Sequence, residues 1–158
     1  MLRRLLASRD LRLNLSSLRP FALWITPAAE PRRFDTRFFL YVAGSAVTGA
    51  HDDRETTASF WATPADVLAR FDAGELTLLP PTHRTLEVLA TARDTDDAVA
   101  IADRAHLGPI CPELVAHTDA QGETMALALP GDPEHSVRDV RAPGRTRYVL
   151  RGGRFIAG

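Results

Sequence analysis

The chain has 158 residues, 45% of them hydrophobic and 25% charged, enough for one domain with a core of its own. Nineteen basic residues, all of them Arg, face twenty acidic ones, and the formal net charge is −1. So balanced a chain has no long-range pull toward nucleic acid or an anionic membrane. The one cysteine, Cys111, excludes an internal disulfide, and no apolar run is long enough to span a bilayer, so the expected location is the cytoplasm.

Residues 2–9 read as a short amphipathic helix with Leu2, Leu5 and Leu6 on one face. An opening this rich in Arg, Leu and Ser would also suit a transit peptide, and the helix is the reading adopted. Leu11, Leu13 and Leu15 alternate with polar residues, a weak extended pattern. Pro20 interrupts it, residues 21–26 form an apolar, aromatic strand, and Pro27 and Pro31 bound a loop. Residues 34–42, with Phe34, Phe38, Phe39, Leu40, Tyr41 and Val42, carry the strongest strand pattern of the chain. A polar loop follows and ends in His51, Asp52, Asp53, Arg54 and Glu55. Residues 56–61 predict a strand with Thr57, Ser59 and Trp61 on one face.

A helix then starts with Thr63 as N-cap, Pro64 in its first turn and Asp66 at the positive end of its dipole. Val67, Leu68 and Phe71 give it an apolar stripe, and Gly74 ends it. Pro80-Pro81 leads into a second helix carrying Leu86, Leu89 and Ala90. A third runs over residues 95–105 with Thr95 as N-cap, and Gly108-Pro109 stops it. The tail predicts strands at 123–129, 146–150 and 154–156, the last two joined as a hairpin through Gly152-Gly153. The expected fold is α/β, or α+β: a small mixed sheet, about three helices and a C-terminal β-hairpin, in one domain over residues 1–158.

Three segments together resemble a known family. They are Pro20-Phe21-Ala22-Leu23-Trp24-Ile25-Thr26-Pro27; the run Pro31-Arg32-Arg33-Phe34-Asp35-Thr36-Arg37-Phe38-Phe39-Leu40; and Glu55 followed by Trp61-Ala62-Thr63-Pro64 and a helix reaching Leu79-Pro80-Pro81-Thr82. Their order resembles the stretch after the catalytic box in Nudix hydrolases of the acyl-coenzyme A diphosphatase-like branch. The tail, with Leu129-Pro130-Gly131-Asp132-Pro133 and Thr146-Arg147-Tyr148, is similar to the end of such proteins. The resemblance implies a pyrophosphohydrolase acting on coenzyme A, acyl-coenzyme A or another nucleoside diphosphate-linked compound, with Mg²⁺ or Mn²⁺ in a complete catalytic form. The glutamate-rich box itself is not in this sequence, which has no adjacent Glu-Glu pair. In the family the box lies upstream of the Trp-Ile-Thr-Pro-like segment, and only 23 residues precede Trp24 here. The expectation is a partial Nudix-like domain whose N-terminal catalytic part is missing and which is inactive as this chain alone. Either the carboxylates lie upstream of Met1 or catalysis has been lost.

Within that resemblance Glu55, by its spacing to Trp61, is the candidate metal ligand outside the box, against the plainer reading of a solvated loop. Arg33, Asp35 and Arg37 share a strand face, where Arg33 and Arg37 would either bind substrate phosphate or form an Arg–Asp–Arg ladder. Trp24 and Trp61 are both expected to pack the junctions of strand and helix. Cys111 reads as a small semi-buried residue and not a nucleophile, and the five histidines show no ligand spacing. A second reading, of another class, is a non-catalytic interaction module that dimerises or pairs with a partner through the open edges of an incomplete sheet.

Overall fold

The computed structural model describes residues 2–10, 12–44 and 59–158. Helix α1, Leu2–Ser8, opens the chain, and a single 3₁₀ turn at Leu15–Ser17 replaces the extended segment expected there. Strands β1, Arg19–Ile25, and β2, Asp35–Leu40, pair antiparallel with Trp24 opposite Thr36 and Ile25 opposite Asp35. The ladder slips between Pro20 and Ala22, next to a proline that has no N–H to give it.

Helix α2, Pro64–Asp72, starts as its residues dictate, with the Thr63 hydroxyl accepting from the Asp66 N–H at 3.1 Å. Helix α3, Pro80–Leu89, begins on the two prolines without a side-chain cap. Helix α4, Thr95–Asp103, is capped one residue earlier than expected. Asp94, not Thr95, accepts from the Asp97 N–H at 2.8 Å, because a carboxylate opposite the dipole is the stronger acceptor.

The C-terminal half is an antiparallel meander of β3, Glu113–Asp119, β4, Gly122–Ala128, β5, Arg147–Arg151, and β6, Arg154–Ala157. Strand β3 is absent from the sequence-based prediction, and the other three fall where expected. Gly152 and Gly153 turn the β5–β6 hairpin at φ of 54° and 77°, the left-handed geometry a two-residue turn demands.

Among the described residues there are thus four α-helices and two sheets, an α/β fold of the expected class. An isolated parallel bridge ties β1 to the segment just before β3: the Ile25 N–H donates to the Ile110 carbonyl at 2.9 Å and the Ile110 N–H to the Leu23 carbonyl at 2.8 Å. The core sits at that seam, where Trp24 and Ile110 pack with Leu127, Leu129 and Tyr148. No helix among the described residues is long and apolar enough to cross a membrane.

The predicted strand at 56–61 fails where it is described, since residues 59–61 are not in a strand. Trp61 does not pack at a junction either: it is 78% exposed, whereas Trp24 is 2% exposed. The two Trp-x-Thr-Pro segments differ because Trp24 lies in a paired strand facing the core and Trp61 lies in the unpaired approach to α2.

Candidate functional site

Parts of the first two segments that carry the sequence resemblance, and the far end of the third, line one cavity of about 340 Å³, whereas Trp61-Ala62-Thr63-Pro64 does not. The end of β1 and the turn after it supply Trp24, Ile25, Thr26 and Pro27. The start of β2 supplies Phe34 and Thr36, and the lead into α3 supplies Leu79, Pro80 and Pro81. Leu127 and Phe155 of the large sheet close the apolar side. The turn is held by a reciprocal pair, with the Thr26 N–H donating to the Phe34 carbonyl at 3.0 Å and the Phe34 N–H to the Thr26 hydroxyl at 3.0 Å.

Alternation along this turn decides which side chains reach the cavity. Arg32, Phe34 and Thr36 line it, and Arg33, Asp35 and Arg37 take the other parity. Arg33 lies before the strand and its Nε donates to the Thr26 carbonyl at 3.0 Å, with Nη2 4.0 Å from Cys111 Sγ. Arg37 Nε is 3.5 Å from Asp35 Oδ1, both side chains well exposed. The three-residue ladder does not form among the described residues, because Arg33, ahead of the strand, is engaged by the Thr26 carbonyl and Asp35 meets Arg37 alone. Arg32, with no hydrogen bond or ion pair among the described residues, is the arginine at this cavity, and Glu30 shares its rim. No local signal singles out Arg32, because a period of two does not say which parity faces a cavity.

Glu55, with His51, Asp52 and Asp53, lies outside the described residues. Among the described residues no group of three or more His, Cys, Asp or Glu side chains is placed to hold a metal, so these residues do not by themselves fit Mg²⁺ or Mn²⁺. Cys111 is half-buried, its Sγ 3.8 Å from the Thr26 carbonyl.

Polar groups far apart in sequence form two further clusters. Near α3, His83 is hydrogen-bonded to Tyr148 at 3.1 Å, and Glu87 lies 2.8 Å from Arg84 and 3.5 Å from His83. Burial lowers the His83 pKa, Glu87 opposes that and Arg84 adds to it, so the charged form of the ring is disfavoured. Burial likewise raises the Tyr148 pKa. A cavity of about 420 Å³ beside them carries both signs, Asp72 and Glu87 against Arg145 and Arg154, and reads as self-compensated. One residue before Tyr148, at the same end of β5, Arg147 with Thr146 holds Asp132, and Arg147 Nη2 is also 2.5 Å from Glu134.

No family model matches the chain. Its similarity is to acyl-coenzyme A diphosphatases of the Nudix kind, and it is distant. The acyl-coenzyme A diphosphatase NUDT19 of Gallus gallus is 28% identical over 125 residues, covering 75% of this chain and 32% of that protein. The protein of the same name from Xenopus laevis is 29% identical over 72 residues, 43% of this chain and 19% of the relative. The chain therefore spans about a third or less of the curated relatives it matches. No solved structure matches.

Proposed function

We propose that this chain carries a substrate-facing surface of a Nudix-type pyrophosphohydrolase for coenzyme A, acyl-coenzyme A or another nucleoside diphosphate-linked compound, and does not hydrolyse as this chain alone. The observation that supports it is that the Trp24–Pro27 and Arg32–Thr36 segments and the Leu79-Pro80-Pro81 end of the third line one cavity with an apolar floor and an arginine without a partner among the described residues. An apolar acyl group fits the floor beside Phe34, Leu127 and Phe155, and the Arg32 guanidinium suits a phosphate oxygen pair at the mouth. The carboxylates that this chemistry draws on for metal are those of the box, which this sequence does not contain. Glu55 is the proposed ligand outside the box, and calorimetric Mg²⁺ or Mn²⁺ binding unaltered by Glu55→Gln, in a form that includes a box, would remove it.

Calorimetry with octanoyl-coenzyme A and free coenzyme A tests the reading. The acylated compound should bind more tightly, Arg32→Gln should weaken both by about tenfold, and Phe34→Ser should abolish the preference. Equal affinity for both compounds would sink the acyl assignment. Loss of affinity on Arg33→Ala or Arg37→Ala instead would move the phosphate contact to the other face of the turn. Release of two phosphomonoester halves from coenzyme A in the presence of Mg²⁺ would overturn the inactivity.

A second reading rests on the edge of β2, which pairs only with β1 among the described residues, and on the exposed Phe39 in it and Tyr41 and Val42 just after it. As an interaction module the chain would self-associate there. A dimer in light scattering that Phe39→Lys dissociates would support this, and a monomer at high concentration would end it.

A further inference from the structure

The mixed-sign cavity of about 420 Å³ beside α2, α3 and β6 balances its charges in sum but not by contact. Glu87 is already committed to Arg84 at 2.8 Å. Asp72, at the end of α2, and Arg154, at the start of β6, have no side-chain hydrogen bond or ion pair among the described residues. Arg145 has only the Ala157 carbonyl, 3.3 Å from its Nη1. One carboxylate and two guanidinium groups thus line the same cavity without neutralising one another. Leu68, Phe71 and Ile156 give it an apolar wall, and the Arg154 guanidinium lies 5.6 Å from the centre of the Phe71 ring.

His83 is a second, independent pointer to a ligand. It is 5% exposed and lines this cavity. Its Nδ1 is hydrogen-bonded to the Tyr148 hydroxyl at 3.1 Å, and its Nε2 has no partner among the described residues. Nε2 is not sealed within the protein either, so it is reached through the cavity. Tyr148 is fully buried, and Nδ1 is the one acceptor its hydroxyl has among the described residues, so the phenol donates and the proton of the neutral ring sits on Nε2. The ring therefore offers the cavity an N–H donor, and a donor so deeply placed is costly to leave without an acceptor. Asp72 and Arg145 both act electrostatically on this ring, which puts the two signs of charge around it.

We propose that this cavity binds a free α-amino acid with an apolar side chain. The His83 Nε2–H and Arg154 hold its carboxylate, Asp72 holds its ammonium, and its side chain lies against Leu68, Phe71 and Ile156. A simple anion would meet the Asp72 carboxylate and a simple amine would meet two arginines, so a molecule carrying both charges is favoured over either. The volume lies within the range of small-molecule sites. The inference does not depend on the diphosphatase reading, since no residue of this cavity lines the one proposed for the acyl group.

Calorimetry with L-leucine should show saturable binding at one equivalent. Isocaproate and isoamylamine, which each lack one of its two charges, should bind at least about tenfold more weakly. Asp72→Asn and Arg154→Gln remove no ion pair of the fold, and each should weaken leucine binding by about tenfold or more with the circular dichroism unchanged. Arg32→Gln, at the other cavity, should leave it unaltered, which separates this site from the proposed acyl site. Absence of saturable binding, isocaproate binding as tightly as leucine, or affinity insensitive to both the Asp72 and Arg154 variants would each overturn the proposal.

Discussion

His83 Nδ1 lies 3.1 Å from the hydroxyl oxygen of Tyr148, and both side chains are buried, one on α3 and the other on β5. The ring also meets Phe71 at 4.8 Å, so His83 ties α2 and α3 to the large sheet. Its pKa is lowered from 6.5, first by burial, with Glu87 and Asp72 opposing and Arg84 and Arg145 adding to the shift. The unfolded chain therefore takes up a proton as pH falls through about 6.5, before the folded chain does. Stability from this group is complete above that value and declines below it, down to the lower pKa of the folded state. Urea midpoints at pH 7.5 and 5.5 should fall further for the wild type than for His83→Gln. An equal fall in both would assign the acid sensitivity elsewhere.

Asp132 is 2% exposed and accepts from Arg147 Nε at 3.0 Å, the Glu134 N–H at 2.9 Å and the Thr146 hydroxyl at 3.2 Å. Burial pushes its carboxyl up, and these hydrogen bonds more than offset that and hold it below the usual carboxylate range. Asp132→Ala strands most of this donor set and should cost about 3 kcal/mol, moderated because Arg147 keeps the exposed Glu134. Thermal or urea unfolding at pH 7 measures it. The wild-type difference from the variant should shrink as pH falls below about 4, where the unfolded carboxyl gains its proton first. A cost under about 1 kcal/mol would show that the network contributes little.

Local signals made β1, β2, β4, β5, β6 and α2 legible in the sequence. Thr63-Pro64 and Gly152-Gly153 act on their immediate neighbours, and alternation or an aromatic run marks the strands. Strand β3 was missed because Leu114, Val115 and Ala116 are consecutive, which hides a period of two until β4 pairs with it from Glu113 to Asp119. The α/β class was legible for the same local reasons. The bridge from Trp24 of β1 to Ile110 ahead of β3, 86 positions apart in numbering, was not. The site was half legible: its motif segments stood out, and parity along 32–37 was known, but nothing local said which parity faces a cavity. His83 and Tyr148 are 65 residues apart, and no spacing rule connects them.

Gly131 explains why the Leu129-Pro130-Gly131-Asp132 segment needs its glycine. Its φ is 97°, and a Cβ there would lie 2.6 Å from Val140 Cγ2 and 3.1 Å from Val140 Cα, so neither strain nor contact can relax cheaply. The turn presents the Asp132 carboxylate to β5 while the Gly131 N–H donates to the Val137 carbonyl at 2.9 Å. Gly131→Ala should lower stability by more than about 1 kcal/mol. A variant as stable as wild type would mean that residues 137–140 yield readily.

The two tryptophans give the sharpest contrast, because their sequence surroundings are alike and their environments are opposite. Trp24 packs against Ile110, Leu127, Leu129 and Tyr148 at the seam of the sheets, and truncation there removes a large side chain from the centre of the core. Trp24→Ala should cost about 3–5 kcal/mol. Trp61, 78% exposed, buries little, and Trp61→Ala should change stability by no more than about 0.5 kcal/mol. Urea unfolding of both variants, with acrylamide quenching of the wild type, checks the assignment. One readily quenched and one protected emission component are expected. A cost of several kcal/mol at Trp61 would place its ring in a packed junction like that of Trp24, and two equally protected components would say the same.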